Sequence, residues 1–214
     1  MEIDPSTLES AQRYRLMIGC IAPRPIAVIS TISPDGETNL APYSFFNGIG
    51  ATPMSLLFCP ANKPDGSEKD TLRNCKPVNE GGTGEFVVSV ALEEYAREVA
   101  AAGEPLPHGE SEFDLTGLGT AASHAVQAPR LAESPVAFEC RTLQVTRLAP
   151  GVAGGANVVM GEIVHIYIHD DLVDEGLHVL PDRLHTIGRL GGLGYCTTRD
   201  RFDLPRGRAA LTTE

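Results

Sequence analysis

Apolar and polar positions along this chain follow a short period far more often than a helical one. Residues 25–32 (PIAVISTI), 54–59 (MSLLFC) and 85–92 (EFVVSVAL) are brief runs rich in β-branched residues, and they predict buried strands. Residues 136–148 and 157–169 predict two longer strands, joined by the flexible PGVAGGA. Ser33-Pro34-Asp35-Gly36 predicts a turn, so the chain from Thr38 returns as the second arm of a hairpin. Helical signals are fewer. Ser6 and Glu9 fit a capping box opening a short helix that stops near Gly19; residues 69–75 predict one or two turns; residues 93–102 predict a helix closed by Gly103. Residues 104–134 carry Gly, Pro and Ser throughout, with a weak helical patch at 113–118, and read as a long excursion over the fold. Strands that do not alternate with helices favour an antiparallel barrel with peripheral helices over a doubly wound sheet. No composition break divides the chain, which predicts one domain over residues 1–214, with an N-terminal helix within 1–20 and a C-terminal arm from 197 to 214. The arm carries Arg199, Arg201, Arg206 and Arg208 and suits a solvated tail or an oligomer contact.

Residues 39–50, NLAPYSFFNGIG, fit no regular element. Ala41, Phe45, Phe46 and Ile49 call for burial, yet Pro42 removes a ladder donor, Ser44 and Asn47 interrupt the apolar face, and Gly48 and Gly50 weaken helix and strand alike. Two readings stand. Backbone N–H groups turned away from the ladder, beside Ser44, would receive a planar polar ligand packed on the aromatics. Alternatively the stretch is a bulged barrel corner with Phe45 and Phe46 on opposite faces. Lys69-Asp70-Thr71, with Asn74, groups an ammonium and a hydroxyl at a helix start and reads either as an anion site or as an Asp70 cap beside an exposed lysine. In residues 185–195, HTIGRLGGLGY, the glycines permit close backbone approach, Arg189 offers a planar cation and Tyr195 a ring; a plain glycine-rich turn is the other reading.

Composition narrows the function. Hydrophobic residues at 42% and charged residues at 21% are globular values, and no apolar run is long enough to span a membrane. Seventeen Lys and Arg against 28 Asp and Glu leave a formal charge of −11, which repels nucleic acid and anionic lipid. The start, MEIDPSTLES, lacks the pattern of a signal peptide, and the five scattered cysteines form no C-x-x-C pair, so a reducing cytoplasm is expected. No dinucleotide fingerprint, P-loop or nucleophile elbow occurs. His165 and His169 would lie about 13 Å apart on a strand, too far to chelate.

Taken in order, RPIAVIST, DGETNLAPYSFF, KDTLRN, SEFDLTGL, APRLAESPVAFEC, NVVMGEIVHI and IGRLGGLGY resemble the flavin reductase-like family of FMN-binding split barrels, over residues 24–195. The resemblance implies a mainly β, antiparallel, Greek-key-like split barrel that forms a homodimer with one FMN per subunit near the interface. It implies that Ser44 and the backbone of Ala41, Pro42, Tyr43, Phe45, Phe46 and Asn47 meet the flavin's edge and ribityl chain, with Ser30 and Thr31 on the neighbouring strand. Lys69, Asp70 and Thr71 would form the phosphate-side turn, with Asn74 close by. Arg189 and Tyr195 would close over the cofactor, with His185 just before them. In some short-chain members an Asp-His pair precedes the strand matched by NVVMGEI, its His near the nicotinamide; here Gly155 and Ala156 stand there. The implied activity is an NAD(P)H:flavin oxidoreductase, with NAD(P)H as co-substrate, serving a partner monooxygenase or another acceptor. A flavoredoxin-type FMN electron carrier without a pyridine-nucleotide site, or a non-catalytic flavin-binding protein, are the alternatives.

Overall fold

The β-branched runs do become strands, and their order closes a barrel. A computed structural model of the chain describes residues 1–212. Its main sheet is antiparallel and seven-stranded, in the order β3-β2-β6-β9-β10-β5-β4. These strands are β2 (Ala27–Ile32), β3 (Thr38–Tyr43), β4 (Phe46–Ala51), β5 (Met54–Phe58), β6 (Glu85–Val90), β9 (Val136–Arg147) and β10 (Asn157–Ile168). β3 and β4 sit at opposite ends of this order, yet only Ser44 and Phe45 separate them in sequence. Three Cα steps span at most about 11 Å, so the sheet must curl until its two ends nearly meet. The barrel is closed there by a covalent corner, not by a ladder. Residues 39–50 are therefore two strands and a corner rather than one hairpin arm.

Phe58 and Phe86 fill the barrel interior with Leu72, Cys140 and Val159, all fully buried. The Phe58 ring lies 5.2 Å from both Tyr43 and Phe86, within the range of favourable aromatic pairs. Gly161, at a bulge in β10, makes room for this cluster: a Cβ there would stand 2.4 Å from Phe86 Cζ. A second apolar layer, including Val28, Leu40, Leu92, Val99, Phe113 and Leu131, packs under α3 (Ala96–Ala101), α4 (Glu112–Thr116) and the excursion. Within the excursion, β7 (Thr120–Ala121) pairs with β8 (Arg130–Leu131). A separate small sheet joins β1 (Arg24–Pro25), β11 (Ile187–Arg189) and β12 (Tyr195–Thr197).

Several helix boundaries differ from the sequence expectation. α1 (Ser10–Cys20) starts one box later: Glu9 N–H donates to Gln12 Oε1 at 2.9 Å, while Ser6 and Thr7 belong to a short 3-10 turn. It also runs through Gly19. Residues 93–101 divide into a 3-10 turn and α3, and Gly103 does not take the left-handed conformation of a helix cap. Its smallness serves contact instead, since a Cβ would lie 3.2 Å from Ala100 O and 3.9 Å from Pro42 Cγ. α4 begins one residue before the predicted patch, capped by Ser111, and ends at Gly117 with φ +72°. In the tail, Arg199 pairs with Glu93 and Arg201 with Asp182, while Arg206 and Arg208 are exposed. Residues 213 and 214 of the expected arm lie outside the described residues. Among the described residues no helix is long and apolar enough to cross a membrane.

Candidate functional site

β3 is an end strand, so one side of its backbone has no ladder partner. Leu40 and Pro42 share the outward parity, since alternate residues of a strand turn their backbone groups the same way. The Leu40 N–H is taken by Glu112 Oε2 at 2.9 Å, and Pro42 has no N–H to satisfy. This edge therefore offers carbonyl oxygens, not the free N–H donors expected from sequence. It forms one wall of a cavity of about 430 Å³, whose other walls are residues 61–64, the start of α2 (Asp70–Cys75), the end of α3 with residues 103–106, and Glu112. That volume lies within the roughly 300–1,000 Å³ of small-molecule sites.

The α2 end carries the charge. Lys69 occupies the cap position of α2 and is exposed on the cavity wall, its ammonium 5.9 Å from the Tyr43 ring centroid. Among the described residues no carboxylate lies within ion-pair distance of it. Loss of hydration among the surrounding walls, and then repulsion from Lys63, hold its pKa below the ordinary lysine value, with Glu112 opposing. Asp70 is not a helix cap, contrary to one of the two sequence readings. Its carboxylate binds Lys63 at 3.0 Å, His108 at 2.9 Å and Arg73 at 3.4 Å. Burial pushes its pKa up, but those partners outweigh it and the net shift is downward. Thr71 Oγ1 accepts from Asn39 Nδ2 at 3.1 Å and from Tyr43 Oη at 2.9 Å. With both acceptor positions filled, the hydroxyl's own proton is its remaining capacity, and Thr71 lines the cavity. Removal from water raises the Tyr43 pKa, so the phenol stays a neutral donor. Glu112, buried in the opposite wall, is raised chiefly by desolvation.

Of the residues expected at the site, Ala41, Pro42, Tyr43, Lys69, Asp70 and Thr71 meet at this cavity. The others do not. Ser30 and Thr31 are fully buried behind the wall, Ser30 donating to Pro129 O and Thr31 accepting from Asn74 Nδ2 at 3.0 Å; their hydroxyls and Asn74 tie strand, helix and excursion together. Ser44 accepts from Arg24 Nε at 3.2 Å, Phe45 packs edge-on against Tyr14, and Asn47 is exposed on β4 with its Oδ1 accepting from Gly48 N. Phe46 lines a second cavity of about 450 Å³, with Arg24, Gly188, Cys196 and Thr197. Arg189 stacks 4.5 Å from the Tyr195 ring centroid and donates to Gly194 O at 2.8 Å, while His185 contacts Asp182 O and Arg199. Neither Arg189, Tyr195 nor His185 lines the first cavity.

Two features escaped the sequence reading. Arg24 is only 4% exposed and serves four acceptors, and Glu112 holds the β3 edge; in sequence both look like ordinary surface charges. The Gly155 position now has a physical reason: a Cβ there would lie 2.2 Å from Ala149 O, and Gly155 O accepts from Asn62 N at 2.9 Å, so no side chain fits. Among the described residues no metal-binding group of His, Cys, Asp and Glu occurs, and His165 stacks on His124 with centroids 4.5 Å apart.

A family model for the flavin reductase like domain matches residues 19–188. An uncharacterized protein of Halalkalibacterium halodurans is 37% identical over 209 residues, 96% of each chain. Among solved structures, 2-nitrobenzoate 2-nitroreductase of Pseudomonas fluorescens is similar with a TM-score of 0.85 at 32% identity, covering 97% of both chains. Nitrilotriacetate monooxygenase component B of Bacillus cereus is similar with a TM-score of 0.88 at 28% identity, covering 95% of this chain and 98% of that one. The chain belongs to the flavin reductase-like family, and its corner-closed barrel is that family's split barrel.

Proposed function

We propose that the protein binds FMN in the β3 cavity and works as an NAD(P)H:flavin oxidoreductase. The observation that carries this reading is Lys69: a cation without a carboxylate partner, beside a Thr71 hydroxyl with an unspent proton, at one end of a cavity of small-molecule size. The donor set fits a single phosphate group. It suits FAD less well, because a pyrophosphate spreads a similar charge over two groups while this end of the cavity offers Lys69 and one hydroxyl proton. Lys69 would hold the phosphate by charge, Thr71 would donate to it, and Ala41 and Pro42 would pack against the flavin and keep water from it. When bound, FMN supplies the redox chemistry, taking a hydride from the reduced nicotinamide.

Arg189 and Tyr195 stand outside this cavity, so their closing role calls for a second copy of the chain. A homodimer is supported by the unpaired outer edge of β4 and by the apolar groove of about 460 Å³ beside it, where Phe46, Ile49, Met54, Phe138 and Ile163 meet. FMN-loaded protein that sediments as a monomer would contradict the dimer. A partner monooxygenase is one acceptor that the likeness to a monooxygenase component supports.

The second reading, a flavoredoxin-type electron carrier, is favoured by Ala156, which stands where some short-chain members carry the nicotinamide-side His, and by Gly155, where the chain has no room for the Asp of that pair. Anaerobic mixing of the FMN-loaded protein with NADH and NADPH separates the two. The reductase reading expects bleaching of the oxidised flavin band by at least one nicotinamide, at a modest rate. Reduction by dithionite but by neither nicotinamide leaves the carrier.

A further inference from the structure

A carboxylate in the wall of an anion-binding cavity is costly, since it repels the ligand that Lys69 attracts. Glu112 is such a group. It is the first residue of α4, reaches in from the excursion, is 8% exposed, and shares the cavity with Lys69, Thr71 and Pro42. One oxygen is accounted for, because Oε2 accepts the Leu40 N–H that the end strand leaves over. The other oxygen, Oε1, accepts from no other residue's side chain or backbone among the described residues. Glu112 lines the same cavity as Lys69 and Thr71, so a ligand seated there can use that spare acceptor. The anchoring residue Leu40 directly precedes Ala41, so Glu112 is tied to the strand that forms the ring wall and lines the same cavity as Lys69.

A carboxylate accepts hydrogen bonds and offers none, so it cannot hold a phosphate, and the neutral groups that suit it are hydroxyls. We propose that Glu112 reads the hydroxyls of the flavin's polyol chain, making the cavity selective for a ring that carries a sugar-alcohol tail over one that does not. This rests on the flavin reading above and adds to it a specificity residue. It also explains the wall's mixed charge: the cation takes the phosphate, and the carboxylate takes the hydroxyl chain leading to it.

The rival role is structural, with Glu112 serving only to satisfy Leu40. Glu112→Gln separates the two, because the amide oxygen still accepts from Leu40 N while the amide nitrogen can only donate. Binding of riboflavin, which has the polyol but no phosphate, and of lumiflavin, which has neither, is read by flavin fluorescence for both proteins, with a thermal melt as control. The parent should prefer riboflavin, and Glu112→Gln should shrink that preference by about 10- to 100-fold, as expected for one lost charge-assisted bond, with the melt little changed. Glu112→Asp, which keeps the charge but shortens its reach, should fall between them. A riboflavin preference undiminished in Glu112→Gln overturns the proposal, as does a parent that prefers neither ring. A parent that binds no FMN at all overturns the flavin reading itself and this proposal with it.

Discussion

Replacing Arg24 with methionine should cost about 3–5 kcal/mol of stability, from ~1–3 kcal/mol for each buried carbonyl left without its donor. Its guanidinium donates to Ile18 O at 2.6 Å, Ile21 O at 2.5 Å, Leu190 O at 3.0 Å and Ser44 Oγ at 3.2 Å, and sits 5.9 Å from the Phe45 ring centroid. No carboxylate is among these partners, so four polar groups from α1, the turn after β11 and the barrel corner depend on one cation. Methionine would fill much of the volume but leave three carbonyls with no donor, each a desolvation penalty. Lysine should not rescue the loss, because one ammonium cannot reach in the directions a guanidinium spans. Urea unfolding of the flavin-free protein checks this. A loss below about 1 kcal/mol would mean that water replaces the guanidinium.

Thr71→Val should be the second costly change, and for a reason absent from the sequence. From sequence alone Thr71 is a ligand hydroxyl, dispensable to the fold. In the structure it is 1% exposed and accepts from both Asn39 and Tyr43. Valine keeps the shape and orphans both donors, so the flavin-free protein should lose about 2–4 kcal/mol, from a penalty of ~1–3 kcal/mol for each unsatisfied group. Tyr43→Phe in the same background should recover part of it, since it removes one orphaned hydroxyl; no recovery in that double variant would contradict the network. Weaker FMN binding by Thr71→Val is therefore not by itself proof of a phosphate contact.

What the sequence made legible followed from local pattern. β-branched runs marked β2, β5, β6, β9 and β10, and the SPDG turn placed the first hairpin, because period and turn chemistry act over a few residues. A barrel corner is one of the two readings that residues 39–50 allow, because Pro42, Ser44 and the glycines interrupt the strand pattern; that the corner joins the two ends of one sheet is not legible, since such a passage changes no local period. α1 was misplaced because both Ser6 with Glu9 and Glu9 with Gln12 satisfy the box pattern, and only the coordinates decide between them. Lys69, Thr71, Ala41 and Pro42, named from two motifs well apart in sequence, line one cavity. Ser30 and Arg189 were placed at the site by the same route, yet burial and a separate sheet keep them from the cavity. Arg24 and Glu112 gave no signal, because their partners are backbone atoms supplied by distant segments.

If the β3 cavity seats FMN with its phosphate on Lys69, that residue sets the preference for a phosphorylated flavin. Lys69→Ala tests it with little structural confusion, because that side chain is exposed and has no ion-pair partner among the described residues. The measurement is the ratio of FMN to riboflavin affinity, by fluorescence titration of the flavin-free parent and variant. The account predicts that the parent prefers FMN and that Lys69→Ala lowers this preference by about 10- to 100-fold, the equivalent of a charge-assisted bond of ~1.5–3 kcal/mol, while riboflavin binds both proteins alike. An FMN preference equal in the two proteins would place the phosphate elsewhere and contradict the assignment of this cavity.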